Sequence, residues 1–321
     1  MKYLAGRVLH SLLLLLGVSL LCFLFAALAP GDYYADLQLN STASPETIAR
    51  LRAHAGLDRP LWQRYGIWAA GALHGDFGYS LAYDAPAGPI VRQRIAATLL
   101  LTGAATSLAW LLAIPWGVWC ADRRGAWGDS VSRFVLALLL AIPDLLLAIV
   151  LLAWAVSSGA FPAGGMVSRH FADLGTLARL RDVARHLALP AFVLTLGMLP
   201  VLTRHVRAAV AEALDSTFAA SARAQGIPHR RLLFRHVLPA ALNPLISLFG
   251  LSLGTLLSAS LLVEVVMGWP GLGPLFLEAI MARDFSIVLA VVMLSAVFLI
   301  AGNLFADLLL YRCDPRIRVR S

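Results

Sequence analysis

Apolar residues in this chain do not alternate with polar ones. They gather into runs long enough to cross the roughly 30 Å hydrocarbon core of a bilayer, which takes about 20 residues of α-helix. Six such runs can be marked: Val8–Ala29, Ile95–Trp119, Phe134–Val156, Leu187–Thr203, Leu245–Met267 and Phe285–Leu310. The pattern predicts an all-α, polytopic membrane protein with both termini on one side. The fourth run is the weakest, because it is short and Pro190 and Pro200 interrupt it. The first run follows Lys2 and Arg7 and superficially resembles a secretory signal. At 22 residues it exceeds the roughly 7–15 of a signal h-region, and it reads as an uncleaved first span.

The segments between the runs carry different patterns. Residues 30–94 form the largest of them, so the chain divides into 1–29 (N-terminal end and first span), 30–94 (an outer cap segment) and 95–321 (a core with five further spans). Within the cap, Ser44-Pro45-Glu46 reads as an N-cap, a proline at the first helical position and an acid in the first turn. Ile48, Leu51 and Ala55 continue that stripe, and Gly56 suits its end. A second helix is expected from Pro60, with Leu61, Tyr65 and Trp68 on one face, broken by the stretch Gly71 to Gly78. Such a segment serves as an amphipathic cap on the membrane surface or as a docking or gating element.

Composition confirms the class that the pattern suggests. Sixty per cent of residues are hydrophobic, only 14% are charged, and mean hydropathy is +0.78. A pair of soluble domains would carry about 25% charge, and a disordered chain fewer apolar residues. The charges partition with the runs. Every Lys and Arg lies outside the six runs. With the N-terminus cytoplasmic, 15 of the 26 basic residues fall inside and 11 outside, although the outer segments are longer. The acids reverse this, with 5 inside, 10 outside and 3 within spans. The positive-inside rule therefore favours an N-in, C-in orientation, and the net charge of +8 reflects topology rather than nucleic-acid binding.

Several chemistries are excluded or unsupported. Twenty-five of the 26 basic residues are Arg, and the sole Lys is Lys2, so the chain cannot build a phosphate-binding Walker A loop of its own. Cys22, Cys120 and Cys313 are isolated, and the histidines show no metal-ligand spacing, so no metal site is expected. Neither H-E-x-x-H nor G-x-S-x-G occurs, and no catalytic residue is assigned.

The loop 204–239, between the fourth and fifth runs, is the most informative segment. It contains Glu212-Ala213-Leu214-Asp215-Ser216-Thr217-Phe218, a set of small residues up to Ala224, then Gly226, Pro228 and, further on, Leu238-Pro239. Asp215 or Ser216 can cap a short helix, narrow because residues 219, 220, 222 and 224 are alanines, with Phe218 as its one large apolar projection. Gly226 ends it and Pro228 blocks continuation. A basic helix follows, with Arg230, Arg231 and Arg235 around Leu232, Leu233 and Val237. A narrow capped helix held away from a membrane suits insertion into a groove on a partner.

This Glu-Ala…Gly…Leu-Pro pattern resembles the EAA loop of binding-protein-dependent ABC importer permeases. The resemblance extends along the chain through Leu57-Asp58-Arg59-Pro60-Leu61-Trp62, Gly75-Asp76-Phe77-Gly78, Ile142-Pro143-Asp144, Trp269-Pro270-Gly271-Leu272-Gly273 and Asp314-Pro315-Arg316. These look like the B-type permease of dipeptide, oligopeptide and nickel importers. The chain departs from the family pattern where Tyr33 and Tyr34 follow Pro30-Gly31-Asp32, where the triplet reads Glu212-Ala213-Leu214, where Phe218 replaces a more usual Tyr, and at Pro162-Ala163-Gly164-Gly165. The resemblance implies a type I ABC importer permease fold of six transmembrane helices in the bacterial inner membrane. It implies a second permease subunit in a heterodimer, two cytoplasmic ABC ATPase subunits that bind ATP and Mg, and an external solute-binding protein. It also implies that the helix from about Ser216 to Gln225 docks in an ATPase cleft, with Glu212, Ala213, Ser216, Phe218, Ala224, Gly226, Leu238 and Pro239 as the coupling residues. Short peptides are the solute class so implied, with nickel or metal chelates and glutathione-like solutes as alternatives.

Acids inside apolar runs mark function or interhelical pairing, since each costs roughly 2.5–3.5 kcal/mol on insertion scales if it faces lipid. Asp144 lies near the middle of the third run and Glu264 near the outer end of the fifth; each reads as a pathway residue or as a satisfied interhelical hydrogen bond. Asp307 sits near the inner end of the sixth, where pairing with Arg312 or another base is expected. Gly250, Gly254 and Ser258 form a small-residue stripe that is either a pathway or subunit wall or an ordinary helix contact. An ion-coupled secondary transporter is the rival from another class; it predicts two similar halves with broken helices, and no matching repeat is visible.

Overall fold

A computed structural model describes residues 2–28, 46, 47, 50 and 58–313 of the chain. The Ser44-Pro45-Glu46 cap with its stripe to Gly56, the Pro30–Tyr34 stretch and the Asp314-Pro315-Arg316 tail lie outside the described residues, wholly or in their defining part. The described chain is mainly helical, with loops between the helices and one antiparallel pair of two-residue strands, β1 (Tyr79–Ser80) and β2 (Ala85–Pro86). Its helices are α1 (Lys2–Leu28), α2 (Leu61–Leu73), α3 (Ala87–Asp122), α4 (Trp127–Ala141), α5 (Asp144–Ser158), α6 (Thr176–Leu214), α7 (Thr217–Ala224), α8 (His229–Leu232), α9 (Leu238–Val266), α10 (Leu272–Met281) and α11 (Phe285–Cys313). Five continuous helices are long and apolar enough to cross a membrane, and α4 with α5 makes a sixth if the pair is one broken span.

Two of the expected spans take unexpected forms. The third run is not one helix: α4 and α5 meet at an 89° bend across Ile142-Pro143. Pro143 excludes its predecessor from the helical region, and Ile142 is extended at φ −86°, ψ 119°. The bend puts Asp144 at the first turn of α5, where a carboxylate complements the helix dipole. The fourth run errs the other way. The prolines that seemed to interrupt it lie inside α6, a continuous helix of 39 residues. Proline is tolerated there because surrounding structure steadies the freed backbone groups, and α6 is the most buried of the long helices.

The chain forms two compact units. The larger contains residues 99–269 and 299–321. Its core is the packing of α6 on α4, α5 and α9. There Trp110, Leu199, Leu202, Val206, Val210 and Leu245 are buried together with Leu232, Leu233 and Val237 from α8 and the π-helical turn that follows it (Leu233–Val237). Trp110 Nε1 donates to Ser252 Oγ at 3.1 Å, so even the indole is satisfied. Arg207 of α6 grips the fully buried Asp129 of α4 with two hydrogen bonds, at 2.7 and 2.8 Å.

The smaller unit contains residues 3–98 and 270–298. The helix expected from Pro60 is α2, with Pro60 at its N-cap. Tyr65 and Trp68 pack on Phe23 of α1 at ring separations of 5.5 and 5.8 Å, and the Tyr65 and Ser19 hydroxyls are 2.9 Å apart. Leu61, the third member of that expected stripe, is exposed. The glycine stretch ends α2 at Leu73, with Asp76 Oδ1 accepting from the Gly78 amide at 2.9 Å. Asp284, 3% exposed, ties the hairpin to the start of α11: its carboxylate accepts from Ser80 Oγ at 2.5 Å, Ala82 N at 3.2 Å and Ile287 N at 3.2 Å.

Candidate coupling loop and membrane cavity

The loop between α6 and α9 is built as a helix on a short tether. α6 ends at Leu214 with Asp215 as its C-cap, and Ser216, extended at φ −72°, ψ 158°, starts α7. Its hydroxyl accepts from the Ala219 amide at 3.4 Å, so Ser216 rather than Asp215 is the cap. The eight residues of α7 bury only Ala219. Phe218, the one large apolar side chain of α7, is 43% exposed. Gly226 follows at φ +77°, a left-handed conformation that a β-carbon disfavours, and the Ile227 amide returns to Ala222 O at 3.2 Å.

Charged contacts hold this loop against the turn between α3 and α4. Arg124 pairs with Asp215 at 2.6 Å and His229 Nε2 lies 2.5 Å from Asp122 Oδ1, while within the loop Arg223 donates to Leu214 O at the end of α6 at 3.1 Å. Both members of the first pair are more than half exposed, so the pair orients the loop more than it stabilises it. Among the other expected coupling residues, Glu212, Ala224 and Pro239 are exposed, Leu238 is half-buried and Ala213 is buried. The α8 arginines Arg230 and Arg231, with Arg235 beyond, are exposed around the buried Leu232, Leu233 and Val237, as the pattern predicts. Asp122 and Arg124 escaped the sequence reading. Their only signal was membership of a charged turn on the same predicted side as the loop.

A second feature lies within the larger unit. A pocket of about 310 Å³, open on one side, lies between α5, α6 and α9, with Asp144, Gly197, Met198, Ser252 and Thr255 among its lining and leucines over most of the rest. Gly197 makes room for the acid: a β-carbon there would lie 2.8 Å from Asp144 Cγ. Of the five tentative pathway residues, Asp144 alone lines this cavity. Gly250 and Gly254 face α11 instead, where a β-carbon on Gly250 would lie 2.8 Å from Gly302 O and one on Gly254 would strike Leu299. Ser258 is exposed. Glu264 is fully buried, with the Ser260 hydroxyl 3.3 Å from Oε1. Asp307 is 9% exposed. The cavity's hydroxyls, Ser252 and Thr255, were missed because a serine and a threonine in an apolar run carry no periodic signal. Among the described residues no group of His, Cys, Asp and Glu could hold a metal ion.

Comparison with known proteins supports the resemblance. Residues 113–319 match the family described as "Binding-protein-dependent transport system inner membrane component", and residues 1–102 match its N-terminal companion. The oligopeptide transport system permease protein AppB of Bacillus subtilis (strain 168) is 35% identical over 317 residues, 98% of each chain. The dipeptide transport system permease protein DppB of Escherichia coli (strain K12) is 33% identical over 320 residues, 94% of each chain. Among solved structures, an inward-facing conformation of the MetNI methionine ABC transporter (CY5 native crystal form) matches with a TM-score of 0.53 at 19% identity, over 70% of this chain and 96% of that one. The likeness extends to the fold, that of type I importer permeases.

Proposed function

From the premise that this chain belongs to the binding-protein-dependent transport system inner membrane component family, we propose that it is one permease half of an ATP-driven importer of short peptides. The peptide assignment rests on relatives named for oligopeptide and dipeptide transport. The chain binds no nucleotide and supplies no bond chemistry; two ABC ATPase subunits bind ATP and Mg at the cytoplasmic face of the inner membrane. A second permease subunit completes a heterodimeric path, and a solute-binding protein delivers the peptide outside.

The mechanism is alternating access. ATP closes the ATPase pair, α7 moves with the cleft that holds it, and the tether to α6 and α9 carries that motion into the spans. Hydrolysis resets the path inward. One observation carries this reading: a Ser216-capped helix that exposes Phe218 and is closed by Gly226 in the left-handed region. A helix of eight residues, too short to persist alone in water, is held ready-formed on the surface with its largest apolar group outward. Glu212, Ala213, Leu238 and Pro239 connect it to the two long helices.

The test is uptake in proteoliposomes holding the complete importer. Phe218→Ala and Gly226→Val are expected to lower peptide uptake per ATP hydrolysed by about tenfold, the scale of a strained backbone or a lost anchor, while ATP hydrolysis continues. Normal coupled uptake in both variants sinks the assignment of α7. Uptake driven by a proton gradient without ATPase subunits would favour a secondary transporter.

A further inference from the structure

The cavity beside Asp144 has polar groups of one kind only. The Ser252 hydroxyl donates to Phe249 O at 2.7 Å, and the Thr255 hydroxyl is directed to Leu251 O and Ser252 O, each at 3.2 Å. Their protons are spent on their own helix, so toward the pocket Thr255 offers lone pairs and Ser252 the one that Trp110 Nε1 does not take. Asp144 adds a carboxylate that receives no hydrogen bond and no ion pair among the described residues, and the lining contains no Lys, Arg or His. A largely apolar pocket, with Asp144 half-buried in its wall, whose polar groups all accept is complementary to a ligand that donates. A carboxylate facing that space favours a donor with positive charge, since charge-assisted hydrogen bonds are the stronger ones. The remaining wall (Leu194, Met198, Val201, Leu248, Leu251) is apolar. At about 310 Å³ the space reaches the lower range of small-ligand pockets.

The geometry points to this cavity as a binding site for a protonated primary amine carrying an apolar side chain: the free amino end of a transported peptide, with its ammonium on Asp144. The assignment of peptide as the source of that amine rests on the proposed importer function; the amine site itself rests on the cavity. Gly197 is part of the site, because any side chain there would occupy the place of the carboxylate.

The test uses the assembled importer in nanodiscs without its binding protein, so that the permease alone is read. The chain carries Cys22→Ser, Cys120→Ala and Cys313→Ser, with Ala259→Cys as a reporter on the pocket wall. Alkylation by N-ethylmaleimide is followed with L-leucinamide or N-acetyl-L-leucinamide present. L-leucinamide is expected to slow alkylation about tenfold or more, the scale of one charge-assisted hydrogen bond, and the uncharged acetyl compound to leave it nearly unchanged. Asp144→Asn should abolish the protection and Asp144→Glu should retain most of it. Equal protection by both compounds, protection that survives Asp144→Asn, no protection, or a reporter that cannot be alkylated each overturns the site. Peptide uptake by the wild-type importer with its binding protein is measured alongside. Uptake without leucinamide protection removes the amine site alone; protection without peptide uptake removes the peptide assignment and leaves the amine site standing.

Discussion

Tyr83 is a residue whose environment can be read out directly. It sits in the turn of the β1–β2 hairpin, its hydroxyl donates to Glu278 of α10, and it is 37% exposed. Partial burial and the neighbouring carboxylate both penalise the phenolate, so its pKa is pushed up to about 12 from 10.0. The proton is held more tightly in the folded state. The stabilisation this contact gives is thus complete below pH 10 and is lost as pH rises toward 12. In an absorbance titration of the phenolate band, the component removed by Tyr83→Phe should have its midpoint near 12, and in Glu278→Gln that component should move down toward 10. A Tyr83 component that titrates at 10 in the wild type contradicts the contact.

At the scale of elements, the join of α4 to α6 depends on Asp129 and Arg207. Asp129 is inaccessible to solvent, the Gly125 amide also donates to it at 3.2 Å, and Arg133 lies 3.8 Å away. Removing one partner of a buried ion pair leaves the other charge stranded, which costs about 3–5 kcal/mol. Arg207→Ala or Asp129→Ala should each lower the thermal midpoint of the purified protein sharply, and the double replacement Asp129→Leu with Arg207→Met should recover part of the loss. Equal damage from the single and double replacements would mean that the pair contributes nothing as a pair. Neither residue stood out in the sequence, because both lie in charged segments that the chain's hydropathy merely assigns to one side. What hydropathy did reveal was where helices exist. Where they bend depended on local stereochemistry: Pro143 breaks its helix beside an extended Ile142, whereas Pro190 and Pro200 sit inside a helix buried enough to hold them. The candidate site divides in the same way. The short helix α7 was legible because caps, small residues and a terminating glycine are local signals. The cavity was not, because Asp144, Gly197 and Thr255 are 111 positions apart at the extremes and meet only when α5, α6 and α9 pack.

For the whole molecule, the partition of charge makes a prediction about sidedness. Basic residues concentrate in 120–133, 204–239 and the two ends, while residues 30–94 hold an excess of neither sign. Each Arg moved across the membrane works against the orienting bias that keeps short basic loops cytoplasmic. The ion pairs of the coupling loop agree with this, since Arg124–Asp215 and His229–Asp122 join the two basic segments 120–133 and 204–239 to each other. Segments that pair in water must share a side. Single cysteines placed at residues 40–80 should therefore react with an impermeant thiol reagent added outside intact cells, and cysteines placed at 215–235 should react only after the membrane is opened. Had α4 and α5 failed to cross as a broken span, an odd number of crossings would separate 120–133 from 204–239, and reagent added outside would reach one of them. Joint protection of both segments thus tests the 89° bend as a membrane-crossing element as well as the orientation, and labelling of 215–235 from outside reverses the topology on which the proposed ATPase docking of α7 depends.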